Sequence, residues 1–346
     1  LTAPQFLRRY LLNIQSASVN NGPVTNITIN SDDEPTLRIT FDVQTFLGPA
    51  LWTAQISVYN LNEQSAQVLI NQGNSSPPVT NSSSQTVPIE QGMSVALSAG
   101  YYGNGANYGL IWEGYVLQVL WERENQTDFK LTLNCILGLD PTGMQRNPVI
   151  QPGVATTQRQ LLLQMLAQAY HPIQPGVISE SLSQKVLPRG RPLFGSPKKY
   201  LSEISRDNNA QWWLGQKGLL NLSNLNYDLA GQQPALTLTP TTGIIGTPRQ
   251  TQKGVTFRTL MNPNINITNP AMFIKLDQTQ YVRLLQQLGD LTSIGILAQS
   301  GVYAVVGARY LGDSRGQDWY TDVVGWLTGA DKIAATDVLG AYLTGA

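Results

Sequence analysis

Charge is scarce in this chain. Of its 346 residues only 13% are charged, against roughly 25% in an ordinary globular protein, and 22 basic residues are cancelled by 22 acidic ones. A protein that works by neutralising nucleic-acid phosphate needs an excess of Lys and Arg, so zero net charge excludes specific nucleic-acid readout as the main task. Cysteine and histidine are nearly absent, with Cys135 and His171 the only examples. A single cysteine excludes an internal disulfide framework and a Cys-rich zinc site. One histidine builds no His-based metal centre and leaves little room for a Ser/His/Asp triad. No apolar run approaches the roughly 20 residues that span a bilayer, and residues 1–12 are too short and too polar for a signal peptide. The expectation is a soluble, unexported chain with no membrane partner, no cofactor and no metal.

What is present is alternation. In residues 36–43, Leu37, Ile39, Phe41 and Val43 alternate with Thr36, Arg38, Thr40 and Asp42, the period of a half-buried strand. Residues 52–61, 94–99, 110–121 and 129–137 read the same way and are bounded by Gly, Pro or Asn. Phe129, Leu131, Leu133, Cys135 and Leu137 share one strand face, which makes Cys135 a core thiol. Residues 71–85 and 100–109 read as surface loops.

After residue 140 the pattern changes. Thr157 with Gln160 forms a capping box ahead of Leu162, Met165, Leu166 and Ala169, a helix closed by His171 and Pro172. Ser196 and Pro197 open a second helix carrying Tyr200, Leu201 and Ile204. Residues 211–214 and 219–222 flank a Gly215 to Gly218 turn as a hairpin. Strand pattern then returns at residues 236–238, 254–260, 271–276, 302–311 and 319–326, with helices expected near 280–288 and 331–343. The organisation is mainly β with an α+β insert: a first β-barrel domain over residues 1–138, an α+β domain over 139–235, a second β-barrel domain over 236–328 and a tail over 329–346.

Catalytic constellations are weak. The glycine-dense loop from Gly100 to Gly105 lacks the lysine and helix start of a phosphate cradle. Asp313 and Asp318 lack calcium-loop spacing and read as a hairpin turn. Glu113, Glu122 and Glu124 offer paired acids for glycoside cleavage, but they border a polar turn and read as a solvated strand end. Tyr101, Tyr102 and Trp112 with the Asn/Gly loop form a possible stacking platform for carbohydrate, the alternative function for the chain. Charge placement is uneven: Lys185, Arg189, Arg191, Lys198 and Lys199 lie in an acid-poor stretch, whereas Asp313, Asp318, Asp322, Asp331 and Asp337 crowd the end. These are either complementary surfaces between copies or partners, or ordinary solvated loops. Of the adjacent Trp212 and Trp213, strand alternation puts one indole in the core and leaves the other free for an interface.

Several segments together resemble the central baseplate hub proteins of contractile-tailed bacteriophages. They are the run from Leu236 to Thr251 (LTLTPTTGIIGTPRQT), Gly254 to Ile265 (GVTFRTLMNPNI) and Gly312 to Val323 (GDSRGQDWYTDV), with Val58-Tyr-Asn-Leu61, Ala99-Gly-Tyr101 and Ile111-Trp-Glu-Gly114 near the start. The resemblance implies a non-enzymatic homotrimeric ring with two barrels per chain, which adapts a six-fold tail tube to a three-fold central spike and lines the DNA path. It implies as partners further copies of the chain, tail tube, central spike, baseplate wedge and tape measure proteins, and DNA passing without specificity. The location would be the virion tail baseplate, after assembly in the bacterial cytoplasm. Interface residues on this reading are Trp212, Trp213, Tyr101, Tyr102, Arg189, Arg191, Lys198 and Lys199. The chain is shorter than the hubs of large phages, a departure that puts their peripheral insert domains and the contacts of those domains in doubt.

Overall fold

The computed structural model describes residues 6–15, 25–33, 36–48, 51–73, 93–103, 107–137, 156–167, 173–187, 197–224, 236–251, 254–265, 267, 273–276 and 301–326. The expected domain borders at 138, 235 and 328, the helices near 280–288 and 331–343, and His171 lie outside these residues.

The first third holds β1 (Phe6–Gln15), β2 (Asn26–Asn30), β3 (Ile39–Phe46), β4 (Thr53–Tyr59), α1 (Glu63–Gly73), β5 (Ser94–Tyr102), β6 (Tyr108–Arg123) and β7 (Phe129–Ile136). In β3 the buried residues include Ile39, Phe41 and Val43, as their alternation requires, and in β7 they include Leu131, Leu133 and Cys135. Burial drives the Cys135 thiol pKa far up, so it stays a protonated core group. β1 and β2 were not foreseen: Arg8 and Arg9 interrupt the first, and the second is a short Asn-rich run. Helix α1 was also missed, because its apolar stripe is thin; it begins where the Asn62 side chain accepts the Ser65 amide at 2.8 Å.

The last third supplies β11 (Leu236–Leu238), β12 (Ile244–Gln250), β13 (Gly254–Leu260), β14 (Phe273–Leu276), β15 (Val302–Asp313) and β16 (Trp319–Trp326). These join the first third in one 13-stranded sheet in the order β12-β13-β16-β15-β3-β4-β7-β6-β5-β1-β2, with β14 on β15 and β11 on β14. The junction is the antiparallel pairing of β15 with β3, from Gly307 opposite Phe46 to Asp313 opposite Thr40. The two β regions that the pattern separates are thus continuous through backbone hydrogen bonds. The sheet also curls. Trp319 donates its indole N–H to the Gly100 carbonyl at 3.1 Å, and Tyr10 donates its hydroxyl to the Leu37 carbonyl. Among the described residues no ladder joins the end strands β12 and β2.

The middle third is the smaller unit, built from α2 (Gln158–Ala167), β8 (Pro175–Ile178), α3 (Pro197–Asp207), β9 (Gln211–Leu214) and β10 (Leu220–Ser223). The capping box forms as read: Thr157 N–H donates to Gln160 Oε1 at 3.0 Å, and Gln160 N–H donates to Thr157 Oγ1 at 3.2 Å. β10 pairs antiparallel with β9 and parallel with β8. Leu161, Leu162, Met165 and Leu166 of α2 and Tyr200, Leu201 and Ile204 of α3 are buried. The expectation for the tryptophans fails here: Trp212 is 5% exposed and Trp213 0%. Alternation frees one indole only where a strand has a wet face, and both faces of β9 are covered at Trp212 and Trp213. α3 packs on β9, while the Trp213 indole N–H reaches across to the Ile267 carbonyl at 3.2 Å.

Close strand contact sets one local requirement. A Cβ added at Gly254 in β13 would sit 2.1 Å from the Gly325 carbonyl oxygen of β16, a backbone atom that cannot swing aside. Gly254→Ala is therefore expected to cost about 1–3 kcal/mol by overpacking, seen as a lower thermal midpoint; an unchanged midpoint would show that these strands can separate freely.

Candidate assembly surface

The face of the large sheet turned away from the core carries a transverse row of polar side chains. Arg258 on β13 faces Asp322 on β16, and Asp322 faces Arg309 on β15. Arg258 donates from Nε and Nη2 to the two Asp322 oxygens at 2.7 and 3.0 Å. Arg309 reaches diagonally to β3 and donates in the same way to Asp42 at 2.9 and 2.7 Å. Arg258 also lies 3.6 Å from the Tyr320 ring centroid, a cation–π contact that holds its plane. The row continues as amides. Asp42 faces Gln55, Gln55 faces Asn134 and Asn134 faces Gln118. Gln55 Nε2 donates to Asn134 Oδ1, and Asn134 Nδ2 to Gln118 Oε1, both at 3.3 Å.

At the rim, Arg38 makes a third two-pronged pair with Asp313, at 3.1 and 2.6 Å. Arg8 clamps the same turn through the Asp313 carbonyl and the Gly316 carbonyl, the latter at 2.5 Å. Arg315 donates to the Thr36 carbonyl at 2.5 Å. Burial pushes the Asp313 carboxyl pKa up, but the Arg38 hydrogen bond and the amides of Arg315 and Gly316 outweigh it and leave it below the ordinary value. The hydrogen bonds that Arg258 and Arg309 donate to Asp322 and Asp42 likewise hold the two guanidinium groups firmly protonated. Each fork matches a carboxylate geometrically, so charge is fixed in place and locally cancelled. Such a face can make contacts, but it offers no nucleophile.

These pairs were not read from the sequence, since their members stand 64 to 275 residues apart. The available signal was a charge at an outward position of each neighbouring strand, without the strand order to connect them. Of the acids at the end, Asp313 and Asp322 serve pairs within the chain, while Asp331 and Asp337 lie outside the described residues. Of the expected interface residues, Lys198 and Lys199 are exposed on α3, and Arg189 and Arg191 lie outside the described residues. Tyr101 is 8% exposed, its hydroxyl 3.4 Å from the Trp319 carbonyl. Tyr102 is half-buried, bonding Ser31 Oγ at 2.7 Å and Asp32.

The sugar platform does not form, because Trp112 is 0% exposed. The paired acids do not form either. Glu113 lies within β6 and Glu124 just beyond its far end, about 36 Å away along the strand at roughly 3.3 Å per residue, where glycosidase acids stand within about 10 Å. Lys130 Nζ lies 3.5 Å from Glu122, and the Tyr59 hydroxyl lies 3.5 Å from Glu124, which fits a solvated strand end.

No protein-family model and no curated protein matches the sequence. The fold, however, has solved counterparts. A tail protein from Neisseria meningitidis MC58 matches with a TM-score of 0.51 at 10% identity, over 92% of this chain and 97% of the other. A chain of the half-lidded Francisella PdpA–VgrG complex matches with a TM-score of 0.51 at 8% identity, over 95% of this chain. This chain spans 60% of that one's length. A 43 kDa tail protein of prophage MuSo2 from Shewanella oneidensis is also similar, with a TM-score of 0.48 at 9% identity over 92% and 96% of the two chains. At the level of fold, the chain is of the kind found in the Neisseria tail protein and in a chain of the PdpA–VgrG complex, in line with the resemblance read from the sequence.

The depressed Asp313 pKa has a stability consequence of definite sign. A carboxylate lowered in the folded state stabilises fully above its unfolded pKa of about 3.9, and that stabilisation fades as pH falls through the lower folded value. Asp313→Asn should therefore lower the thermal midpoint at pH 7 and reduce the loss of stability below about pH 4. Parallel acid limbs for the two proteins would contradict this linkage.

Proposed function

We propose that this chain is a structural hub of a contractile phage tail, a homotrimeric ring that adapts the six-fold tube to the three-fold spike and lines the DNA conduit. The observation that carries the reading is the fold likeness to the tail protein from Neisseria meningitidis MC58 along nearly the whole of both chains. The outer face of the large sheet adds a physical argument. A conduit wall must not hold DNA, and a row whose arginines are each paired to an aspartate, continued by amides, presents polarity with little attraction for phosphate. Three chains, each contributing two barrel-like halves, would supply six similar walls around one axis. The end strands β12 and β2 offer backbone groups for neighbouring copies or tube rings to cover. Spike and wedge proteins would meet the remaining surfaces, including the α3 face with Lys198 and Lys199.

A carbohydrate-binding role has no support from the aromatic residues that first raised it, because Trp112 and Tyr101 are buried.

Light scattering on the purified protein is expected to give three times the 37.8 kDa chain mass, or that mass plus the spike's once a trimeric spike protein is added. A chain that stays monomeric with tube and spike proteins present, yet binds a glycan array, would sink the proposal. A second test uses the wall itself. Gln55→Lys combined with Asn134→Lys places unpaired cations on the row; tails should still assemble, while DNA delivery, measured as plaque-forming units per assembled particle, should fall.

A further inference from the structure

The polar row on the outer face of the large sheet is closed in its middle and open at both ends. Ile245 on β12 faces Arg258 and begins the row, and Gln118 on β6 ends it. Between them the arginines are held by aspartates and the amides bond one another. Large exposed hydrophobic side chains stand at the two ends. Ile245 is 40% exposed at one. At the other, Leu120 lies two residues from Gln118 and so on the same face, 39% exposed, and Leu117 is the extra residue where the β6 register shifts, 49% exposed. A lone exposed leucine needs no explanation, but three apolar side chains gathered at the two ends of one row do.

Both ends also carry backbone without a strand beside it. β12 is the terminal strand, and its register on β13 slips between Ile245 and Arg249, leaving Gly246, Thr247 and Pro248 without cross-strand partners. Gly246 has φ +72°, and a Cβ there would meet nothing within 4 Å, so the strand stands open at that point. β6 pairs with β5 only as far as Tyr115, so residues 117–123 have β7 on one side and no strand on the other among the described residues. α1 packs on β6 yet leaves Leu117 and Leu120 exposed. From β12 to β6 the order is β12-β13-β16-β15-β3-β4-β7-β6, each strand antiparallel to the next. Eight alternating strands leave β12 and β6 running in opposite directions. β12 of one copy beside β6 of another is therefore a further antiparallel pair.

We propose that the free side of β6 takes β12 of a second copy of this chain, with Ile245 against Leu120, Arg249 donating to Gln118, and Leu117 along the Arg249 stem. The spacing matches: Arg249 stands two ladder steps from Ile245, and Gln118 two from Leu120. Arg249 is exposed and has no ion pair or hydrogen bond among the described residues. Gln118 Oε1 accepts from Asn134 and has a second lone pair for another donor. Within one chain the two ends stand about 34 Å apart along the sheet, at roughly 4.8 Å per strand. Their hydrophobic side chains are exposed, so neither end covers the other. A second copy is the occupant because one chain carries both halves of the match. The surfaces differ, so the contact is head-to-tail and forms a ring where its rotation closes. It rests on the homotrimer reading and deepens it by naming the surfaces through which copies join.

The test places Ile245→Cys and Leu120→Cys in one full-length chain and adds a short bis-maleimide that spans the roughly 7–8 Å between diagonal cross-strand neighbours. Cys135 is buried, so only the introduced thiols react. On a denaturing gel the double variant is expected to give cross-linked dimers and trimers, a mixture of the two single variants dimers only, and each single variant alone monomers. Ile245→Asp, an exposed substitution whose folding is checked by circular dichroism, should weaken self-association about tenfold, and adding Leu120→Lys should restore part of it through a charge pair between copies. Cross-linking of either single variant alone, which marks a symmetric contact, or only monomers from the double variant at up to about 0.1 mM protein, overturns the proposal. Light scattering on the same samples separates it from the hub reading. A trimer without the cross-link overturns this contact alone, whereas a cross-linked series running past the trimer upholds the contact and counts against the three-fold ring.

Discussion

The pairing of β15 with β3 is the constraint on which the rest of this structure depends. It makes one sheet of strands drawn from the two ends of the chain. That pairing closes a loop of more than 250 residues, and the entropy of doing so must be offset by contacts formed only when the ends meet. Arg309 with Asp42 and Arg38 with Asp313 both cross this same junction. The Arg8 clamp and the Trp319 hydrogen bond to Gly100 then pull β1 and β5 against the turn between β15 and β16. The outer row of side chains exists only because this junction aligns strands remote in sequence.

Low charge content takes on a specific meaning in this light. Exposed ion pairs contribute little stability, but two-pronged Arg–Asp pairs on a half-buried sheet face also fix register and suppress wrong neighbours. Between β13 and β3 the few charges are used in that way, and toward β6 amides take over. The same economy makes the unpaired Arg249 conspicuous.

Much of the fold was legible. The strands with clean alternation, β3 to β7, and those of the last third, β13, β15 and β16, appear within a few residues of their expected places, and the Thr157 capping box forms as its spacing requires. The misses have physical reasons. β12 contains Gly246 and Pro248, which disfavour a central strand but suit a bulged edge. α1 buries few side chains and so carries a weak helical signal. The tryptophan pair was misjudged because alternation describes which way a side chain points and is silent on what covers that side. The candidate surface was legible only as scattered Arg and Asp at outward positions.

By itself, then, the sequence determined the secondary structure class, the core thiol and the Thr157 capping box, because each depends on a short window of residues and on composition. The tertiary structure decided the strand order across the two halves, the partners of Arg38, Arg258 and Arg309, the burial of both tryptophans and the opening beside β12. All of these depend on contacts between distant segments, and strand periodicity carries no information about which strand lies beside which.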